Sequence, residues 1–411
     1  MPLALRVKTE GLPTRRAAWV NRSTLGIGLA SLFSDVGHEM ATAAMPVLLA
    51  SIGANSALLG LIEGLADGAA SFAKLASGLY SDRLRRRKPL AVVGYLVTAC
   101  GMASLALVTQ WWHVLIGRVA AWLGRGARAP VRNVLLSEAT TPETYGRAFG
   151  FERAMDSIGA VIGPLLSLIL VALIGLRLSF ALTIIPGVMS ALLIAALVRE
   201  REHMPQPHVH LVSGMLSLPG EFRKYLVGVG VAGLGDFANT LLILWATQAW
   251  TPILGLARAA QLAMLYYVGY NVVYAASCYV SGQLADRFAK NRVLAIGYSL
   301  AIIPALALMS PGTSLVKFAI VFGFSGLYMG VWETLENATA ATMLPSSTRG
   351  IGFGVLATVN GVGDFLSSAV VGALWILDPR VAMLIVIATS LVGAGIIVRM
   401  RPSVSENLAL D

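Results

Sequence analysis

Four long stretches of the sequence contain no charged residue, and this feature restricts the possible folds more than any other. They cover residues 90–109, 180–198, 293–310 and 381–398. Each has about the length of the roughly 20 apolar residues that cross a bilayer as a helix. Lipid offers the backbone no hydrogen bonds, and these runs lack the alternating pattern of a barrel strand. They therefore predict an all-α membrane protein.

Eight further apolar stretches contain a few ionisable residues and bring the prediction to twelve transmembrane helices. Composition agrees, because 56% of the residues are hydrophobic and only 13% are charged, against about 25% charged in soluble domains. That composition argues against a cytosolic enzyme, a disordered chain and a nucleic-acid binder. The predicted spans are 24–50, 56–81, 90–109, 111–139, 147–173, 177–198, 224–250, 258–285, 292–310, 313–341, 350–376 and 380–400.

Basic residues predict the orientation of the spans, because cytoplasmic loops of membrane proteins are enriched in lysine and arginine. The chain has 31 Lys+Arg and 21 Asp+Glu, a net charge of +10. Most basic residues outside the spans fall on one side. We therefore predict that both termini are cytoplasmic and that the N-terminal segment is a retained tail and not a signal peptide. The opposite loops carry only Arg177, Arg258, Lys317 and Arg380.

The two halves of the sequence match at a fixed offset of 204 residues. The matching pairs are Gly78/Gly282, Asp82/Asp286, Arg83/Arg287, Gly146/Gly350, Phe149/Phe353 and Gly150/Gly354. Two six-helix units of the same orientation are typical of a duplicated transporter. We therefore predict two pseudo-symmetric six-helix bundles at 24–198 and 224–400. A linker at 199–223 joins them, and cytoplasmic tails at 1–23 and 401–411 flank them.

The loops at 78–88 and 282–292 resemble the signature loops of the major facilitator superfamily, and the chain is similar to this family over essentially its full length. The resemblance implies transport by alternating access, a bacterial inner membrane location, and a buried arginine at Arg118. It also implies a cytoplasmic gate and an antiporter-like segment in span five. The gate residues are Gly78, Asp82, Arg83, Gly282, Asp286 and Arg287, and the antiporter-like residues are Gly159, Gly163 and Pro164.

Ionisable residues in the N-terminal spans are the most informative part of the sequence, because a charge at the bilayer centre costs about 2.5–3.5 kcal/mol on insertion scales. Equal numbers of acids and bases predict a paired network around a water-filled central cavity. For Arg132, Glu152 and Arg153, snorkelling or pairing with a loop is the competing interpretation. The acids are Asp35, Glu39, Glu63, Asp67, Glu152 and Asp156, and the bases are Lys74, Arg118, Arg125, Arg128, Arg132 and Arg153.

Two pairs of these acids are spaced by four residues, which places the members of each pair on one face of a helix. They are Asp35 with Glu39 in span one, where His38 lies beside them, and Glu63 with Asp67 in span two. Carboxylates this close repel each other when both are ionised. A carboxyl group that exchanges a proton near neutral pH is what proton coupling requires. These residues are therefore candidates for carrying the coupled proton or a cationic substrate.

The C-terminal spans contain acids without a base at comparable depth: Asp236, Glu333, Glu336 and Asp364. Aromatic residues lie near them in the sequence. Acids combined with aromatic faces suit an organic cation, by charge and by cation–π contact. The alternative is that the tyrosines fill the core or line the interface and that the acids are protonated. The aromatic residues are Tyr266, Tyr267, Tyr270, Tyr274 and Trp332.

The sequence favours proton-coupled export of a small amphipathic or cationic compound by a functional monomer. One alternative is uptake of an organic anion held by Arg118, Arg125 or Arg128. A second is transport of a metal through His38, Met40 and Met45, although no metal-ligand spacing accompanies them. A third is a non-transporting receptor or membrane enzyme. No cofactor, metal site or nucleic-acid partner is predicted, because phosphate-binding, dinucleotide and catalytic motifs are missing from the sequence.

Overall fold

A computed structural model describes residues 19–52, 56–200, 215–237 and 239–400, and this part of the chain is helical without strands. Most of the two predicted tails and of the linker lies outside these residues. The helices are α1 (Arg22–Ser51), α2 (Ser56–Arg83), α3 (Lys88–Ala103), α4 (Trp111–Glu138), α5 (Tyr145–Ile174), α6 (Leu176–Leu182), α7 (Ile184–Leu197), α8 (Gly220–Gly233), α9 (Asn239–Leu254), α10 (Leu256–Arg287), α11 (Lys290–Ser299), α12 (Ile302–Met309), α13 (Leu315–Met343), α14 (Arg349–Leu377) and α15 (Pro379–Val398).

Three of the predicted spans are interrupted, and with this correction the described helices form the twelve predicted spans. Span six consists of α6 and α7, span seven of α8 and α9, and span nine of α11 and α12. The break in span seven is the widest, because α8 ends at Gly233 and α9 begins at Asn239. Glycine and proline content alone does not locate such breaks, since Pro130 and Pro164 lie inside continuous helices.

Seven segments of the described chain are long and apolar enough to cross a membrane on their own. They are Lys88–Leu107, Pro142–Ile174, Leu176–Leu197, Lys290–Met309, Leu315–Met343, Arg349–Trp375 and Pro379–Val398. The remaining spans pack against these segments and against each other. In the first half α1 packs on α5 and α7, and α2 packs on α4; in the second half α10 packs on α9 and α13, and α8 packs on α15.

The two bundles meet through two equivalent helix crossings, α2 with α14 and α5 with α10. Glycines permit the close approach. A Cβ atom added to Gly78 in α2 would lie 2.6 Å from the carbonyl oxygen of Gly350 in α14, and one added to Gly146 in α5 would collide with the carbonyl oxygen of Gly282 in α10. These four glycines are two pairs of the 204-residue repeat, so the crossings follow the internal symmetry.

Candidate functional site

A reciprocal helix cap closes the side of the protein that carries the loops after α2 and α10, which we call the latch side. The carboxylate of Asp82 accepts hydrogen bonds from the backbone N–H groups of Gly350 (3.0 Å) and Ile351 (2.8 Å), at the start of α14. Asp286 accepts one from Gly146 (2.9 Å), at the start of α5. Each aspartate thus caps a helix of the other bundle, where unpaired N–H groups and the helix dipole favour negative charge.

Two arginines pair with these aspartates. A guanidinium nitrogen of Arg87 lies 2.9 Å from an Asp82 oxygen, and Nε of Arg147 lies 2.6 Å from Asp286 Oδ2. The part of Arg83 and Arg287 in the gate, which the family resemblance implied, stays a prediction. Arg287 is exposed in the structure.

Inside the first bundle, Arg132 of α4 and Glu152 of α5 form a buried ion pair at 2.8 Å, with side chains 6% and 0% exposed. The hydroxyl of Ser31 donates to Glu152 at 2.6 Å and accepts from Arg132 at 3.0 Å. Asp156 lies 3.9 Å from Arg132 and 3.6 Å from Arg153. These residues form one network inside the protein, so the interpretation that they snorkel or pair with a loop is wrong.

Arg125 alone among the three arginines proposed as an anion clamp is substantially accessible, with a side chain 32% exposed. It pairs with Asp35 at 3.0 Å, and the Asp35 side chain is 5% exposed. Arg118 is buried, stacks 3.7 Å from the ring centroid of Trp122 and donates to Thr42. Arg128 is also buried. Its guanidinium lies 4.0 Å from the ring centroid of Tyr95, and its Nε and one terminal nitrogen have no hydrogen-bond partner among the described residues.

His38 lies between Glu39 of its own helix, α1, and Trp122 of α4. Its Nε2 lies 3.7 Å from the carboxylate of Glu39, whose side chain is 28% exposed, and its ring packs 4.3 Å from that of Trp122. Met40 and Met45 are buried. The described residues contain no group of three or more histidine, cysteine, aspartate or glutamate side chains arranged to hold a metal.

On the side opposite the latch, α2 and α14 separate beyond one crossing point, and we interpret the space between them as a cleft between the bundles. A Cβ atom on Gly361 would lie 2.9 Å from the hydroxyl of Ser71, whereas one on Gly64 or Gly68, farther along α2, would meet nothing within 4 Å. Asp67 of α2 and Asp364 of α14 continue the same helix faces into the cleft. Both residues are exposed.

Polar groups surround the two exposed acids of the cleft. The indole Nε1 of Trp122 donates to Asp67 at 2.5 Å. Lys74, about two turns after Asp67 on α2, lies within electrostatic range of both Asp67 and Asp364. The side chain of Glu63, the other predicted acid of span two, lies outside the described part of the structure.

The floor of the cleft is built from residues of both bundles. Arg153 Nε lies 3.9 Å from Glu333 Oε2, and the hydroxyl of Tyr274 donates to the same carboxylate. Asn133 of α4 donates a hydrogen bond of 2.8 Å to Asn337 of α13, its counterpart 204 residues away. The sequence indicated no base within the C-terminal spans at the depth of their acids. In the structure a base of the first bundle, Arg153, reaches across to one of these acids, Glu333.

Glycines of the antiporter-like segment place the acidic face of α1 against α5. A Cβ atom on Gly159 would lie 3.0 Å from the Cβ of Asp35, and one on Gly163 would lie 2.7 Å from the Cβ of Glu39. Pro164 follows inside the helix. Neither glycine tolerates a larger residue without moving α1, so this segment fixes the position of both acids.

The remaining predicted acids, Asp236 and Glu336, lie inside the second bundle. Glu336 is buried and accepts hydrogen bonds from the hydroxyl of Tyr298 and from Asn360 Nδ2, the latter at 2.6 Å. Asp236 follows the C-terminal end of α8 at the break in span seven and lines a small cavity. Glu336 is therefore satisfied by neutral donors, whereas Asp236 faces open space.

Twelve helical spans in two related bundles define the fold of a membrane transporter. The sequence profile of the Major Facilitator Superfamily matches residues 27–368. The chain belongs to this superfamily, and the resemblance noted in the sequence is confirmed.

Comparisons with individual proteins agree. The chain is 28% identical over 361 residues to an uncharacterised MFS-type transporter of Methanocaldococcus jannaschii, covering 87% of this chain and 89% of that protein. It is 34% identical over 109 residues to the multidrug resistance protein MdtH of Photorhabdus laumondii, covering 26% of this chain and 27% of that protein. The fucose:proton symporter FucP of Escherichia coli shares the fold, with a TM-score of 0.75 and 15% identity over 93% of this chain and 100% of that chain.

Proposed function

We propose that this transporter exports a small amphipathic or cationic compound in exchange for protons. The observation that carries the proposal is the pair of exposed carboxylates, Asp67 of the first bundle and Asp364 of the second, which lie within electrostatic range of each other. With the basic loops in the cytoplasm, the latch side is the cytoplasmic side and the cleft opens outward.

Repulsion between the two carboxylates would couple the movement of protons to the movement of the substrate. Closing the outer side brings the walls together, and two carboxylates that approach each other repel unless positive charge comes between them. Lys74 offsets one of the two negative charges. Either a proton or a cationic substrate then offsets the other, so the two compete for one site. Such competition turns a proton gradient into export of the substrate.

Similarity supports the direction of transport. The matching relative MdtH is named a multidrug resistance protein, and the Gly159–Gly163 segment resembles the antiporter signature. In the structure this segment packs against Asp35 and Glu39 of α1. Uptake of an organic anion has less support, because Arg118 and Arg128 are buried and the accessible Arg125 is already paired.

The test is flux of cationic dyes in proteoliposomes with an imposed pH gradient. We expect gradient-driven dye movement by the native protein and a loss of at least tenfold in Asp67→Asn, since a neutral amide neither binds a proton nor attracts a cation. Glu221→Gln, an exposed acid at the start of α8 that pairs with Lys224, is the matched control and should transport normally. Undiminished proton-driven flux in both Asp67→Asn and Asp364→Asn would contradict the proposal. Transport of anions in place of cations would favour the alternative.

A further inference from the structure

The cavity beside Asp236 is lined by residues of the second bundle. Its walls come from the break in span seven and from α9, from α10, from the second part of span nine, from α13 and from α15. It has room for about two water molecules, which is too little for an organic substrate. Its size therefore fits an ion.

The interruption of the helix in span seven lies at this cavity. At the end of α8, Gly235 and Asp236 donate backbone hydrogen bonds to Ala232 and Gly233, three residues earlier, and the helix then stops. A helix end presents carbonyl oxygens and the negative end of the helix dipole. Irregular backbone at membrane depth is tolerated where it lines a cavity, and the C-terminal ends of such half-helices coordinate cations in other transporters.

Oxygen atoms of several side chains line the cavity together with Asp236. Asn239 donates through Nδ2 to the hydroxyl of Tyr270 at 2.8 Å, which leaves its carbonyl oxygen free to act as a ligand. Ser325 and Tyr328 also line the cavity; both are 8% exposed, and neither side chain makes a hydrogen bond to another described residue. Buried hydroxyls of this kind normally have partners, so these two are available to a bound ligand.

The charge of the surroundings indicates the kind of ligand. The charged residues acting most strongly on Asp236 are the acids Asp364, Glu336 and Glu333, so its surroundings attract a cation. We propose that Asp236, Asn239, Ser325 and Tyr328 bind a sodium ion at the break in span seven. A single carboxylate with neutral oxygen donors matches a monovalent hard cation, whereas a proton would need only the carboxylate. The ion would bridge α9 and α13 across the broken span.

Equilibrium binding tests the site without any transport, so its outcome is independent of the proton-driven export proposed above. We expect the purified protein in lipid nanodiscs to unfold at a higher temperature as NaCl replaces choline chloride at constant ionic strength, with saturation. Asp236→Asn should abolish this shift. Glu221→Gln changes an acid of the same bundle that does not line the cavity, and it should keep the shift.

Two milder variants keep the test decisive if Asp236→Asn does not fold. Ser325→Ala and Tyr328→Phe should each weaken binding of radioactive sodium by about tenfold, the cost of one lost ligand. A sodium shift of equal size in Asp236→Asn and in the native protein would overturn the proposal. Stabilisation of the native protein by acidic pH but not by sodium, lost in Asp236→Asn, would also overturn it and would make Asp236 a proton site.

Discussion

At the scale of single residues, we expect the loss of Arg132 or Glu152 to lower the stability of the protein most. Both side chains are buried and 2.8 Å apart. Removing one partner of a buried ion pair leaves an uncompensated charge and costs about 3–5 kcal/mol. We expect Arg132→Ala to lower the thermal unfolding midpoint in nanodiscs substantially, and Arg258→Ala, which removes an exposed arginine, to leave it nearly unchanged.

A double variant separates the buried charge from simple loss of packing. Arg132→Met combined with Glu152→Met removes both charges and keeps comparable volume, so it should regain much of the stability lost in Arg132→Ala. If the double variant unfolds at a lower temperature than Arg132→Ala, the explanation by unpaired charge fails.

Sequence reasoning located these charged residues but not all their partners. Helical spacing placed Asp35 and Glu39 on one face, which concerns a single helix and needs no knowledge of packing. The pairs Arg153–Glu333 and Asn133–Asn337 join different bundles, and no spacing within a helix predicts them. The fixed offset of 204 was the one available signal for the asparagines, since residues equivalent by a two-fold repeat can meet on its axis.

At the scale of helices, the crossing of α2 with α14 holds the latch side closed. We expect Gly78→Ala to push the helices apart, because its Cβ would lie 2.6 Å from the Gly350 carbonyl oxygen. Gly64→Ala, with nothing within 4 Å, is the matched control in the same helix. Spin labels at Glu143 and Ser346, exposed loop positions of the two bundles, would report the separation. Equal distances in the two variants would argue against this steric role.

The sequence predicted the spans well and their interruptions poorly. Apolar length decides whether a segment can cross the membrane, so all twelve spans were recognised from local composition. A break within a span depends on what surrounds it. In span seven, Asp236 and its neighbours leave the helix where the other helices leave a cavity, and that arrangement is a property of the packed bundle.

At the scale of the whole molecule, the two helix caps stabilise the same closed state. Replacing either aspartate with asparagine weakens one cap, and losing a cap costs about 0.5–2 kcal/mol. We therefore expect Asp82→Asn and Asp286→Asn each to raise the population open at the latch side several-fold. The free-energy effects should add in the double variant, because the two caps lie at separate crossings.

Distance distributions from the same pair of spin labels would measure these populations. A double variant no more open than either single variant would mean that one cap alone controls closure. Arg223→Gln, an exposed change in α8 away from both caps, should leave the distribution as in the native protein.

The hydrogen bond between Asn133 and Asn337 has a consequence for the origin of the fold. A carboxamide both donates and accepts, so one residue type can stand on each side of such a contact, as in an isologous homodimer interface. A half-length ancestor carrying this asparagine could have met its own copy through the same atoms. Gene fusion would then have preserved a pre-existing dimer contact without requiring a new one.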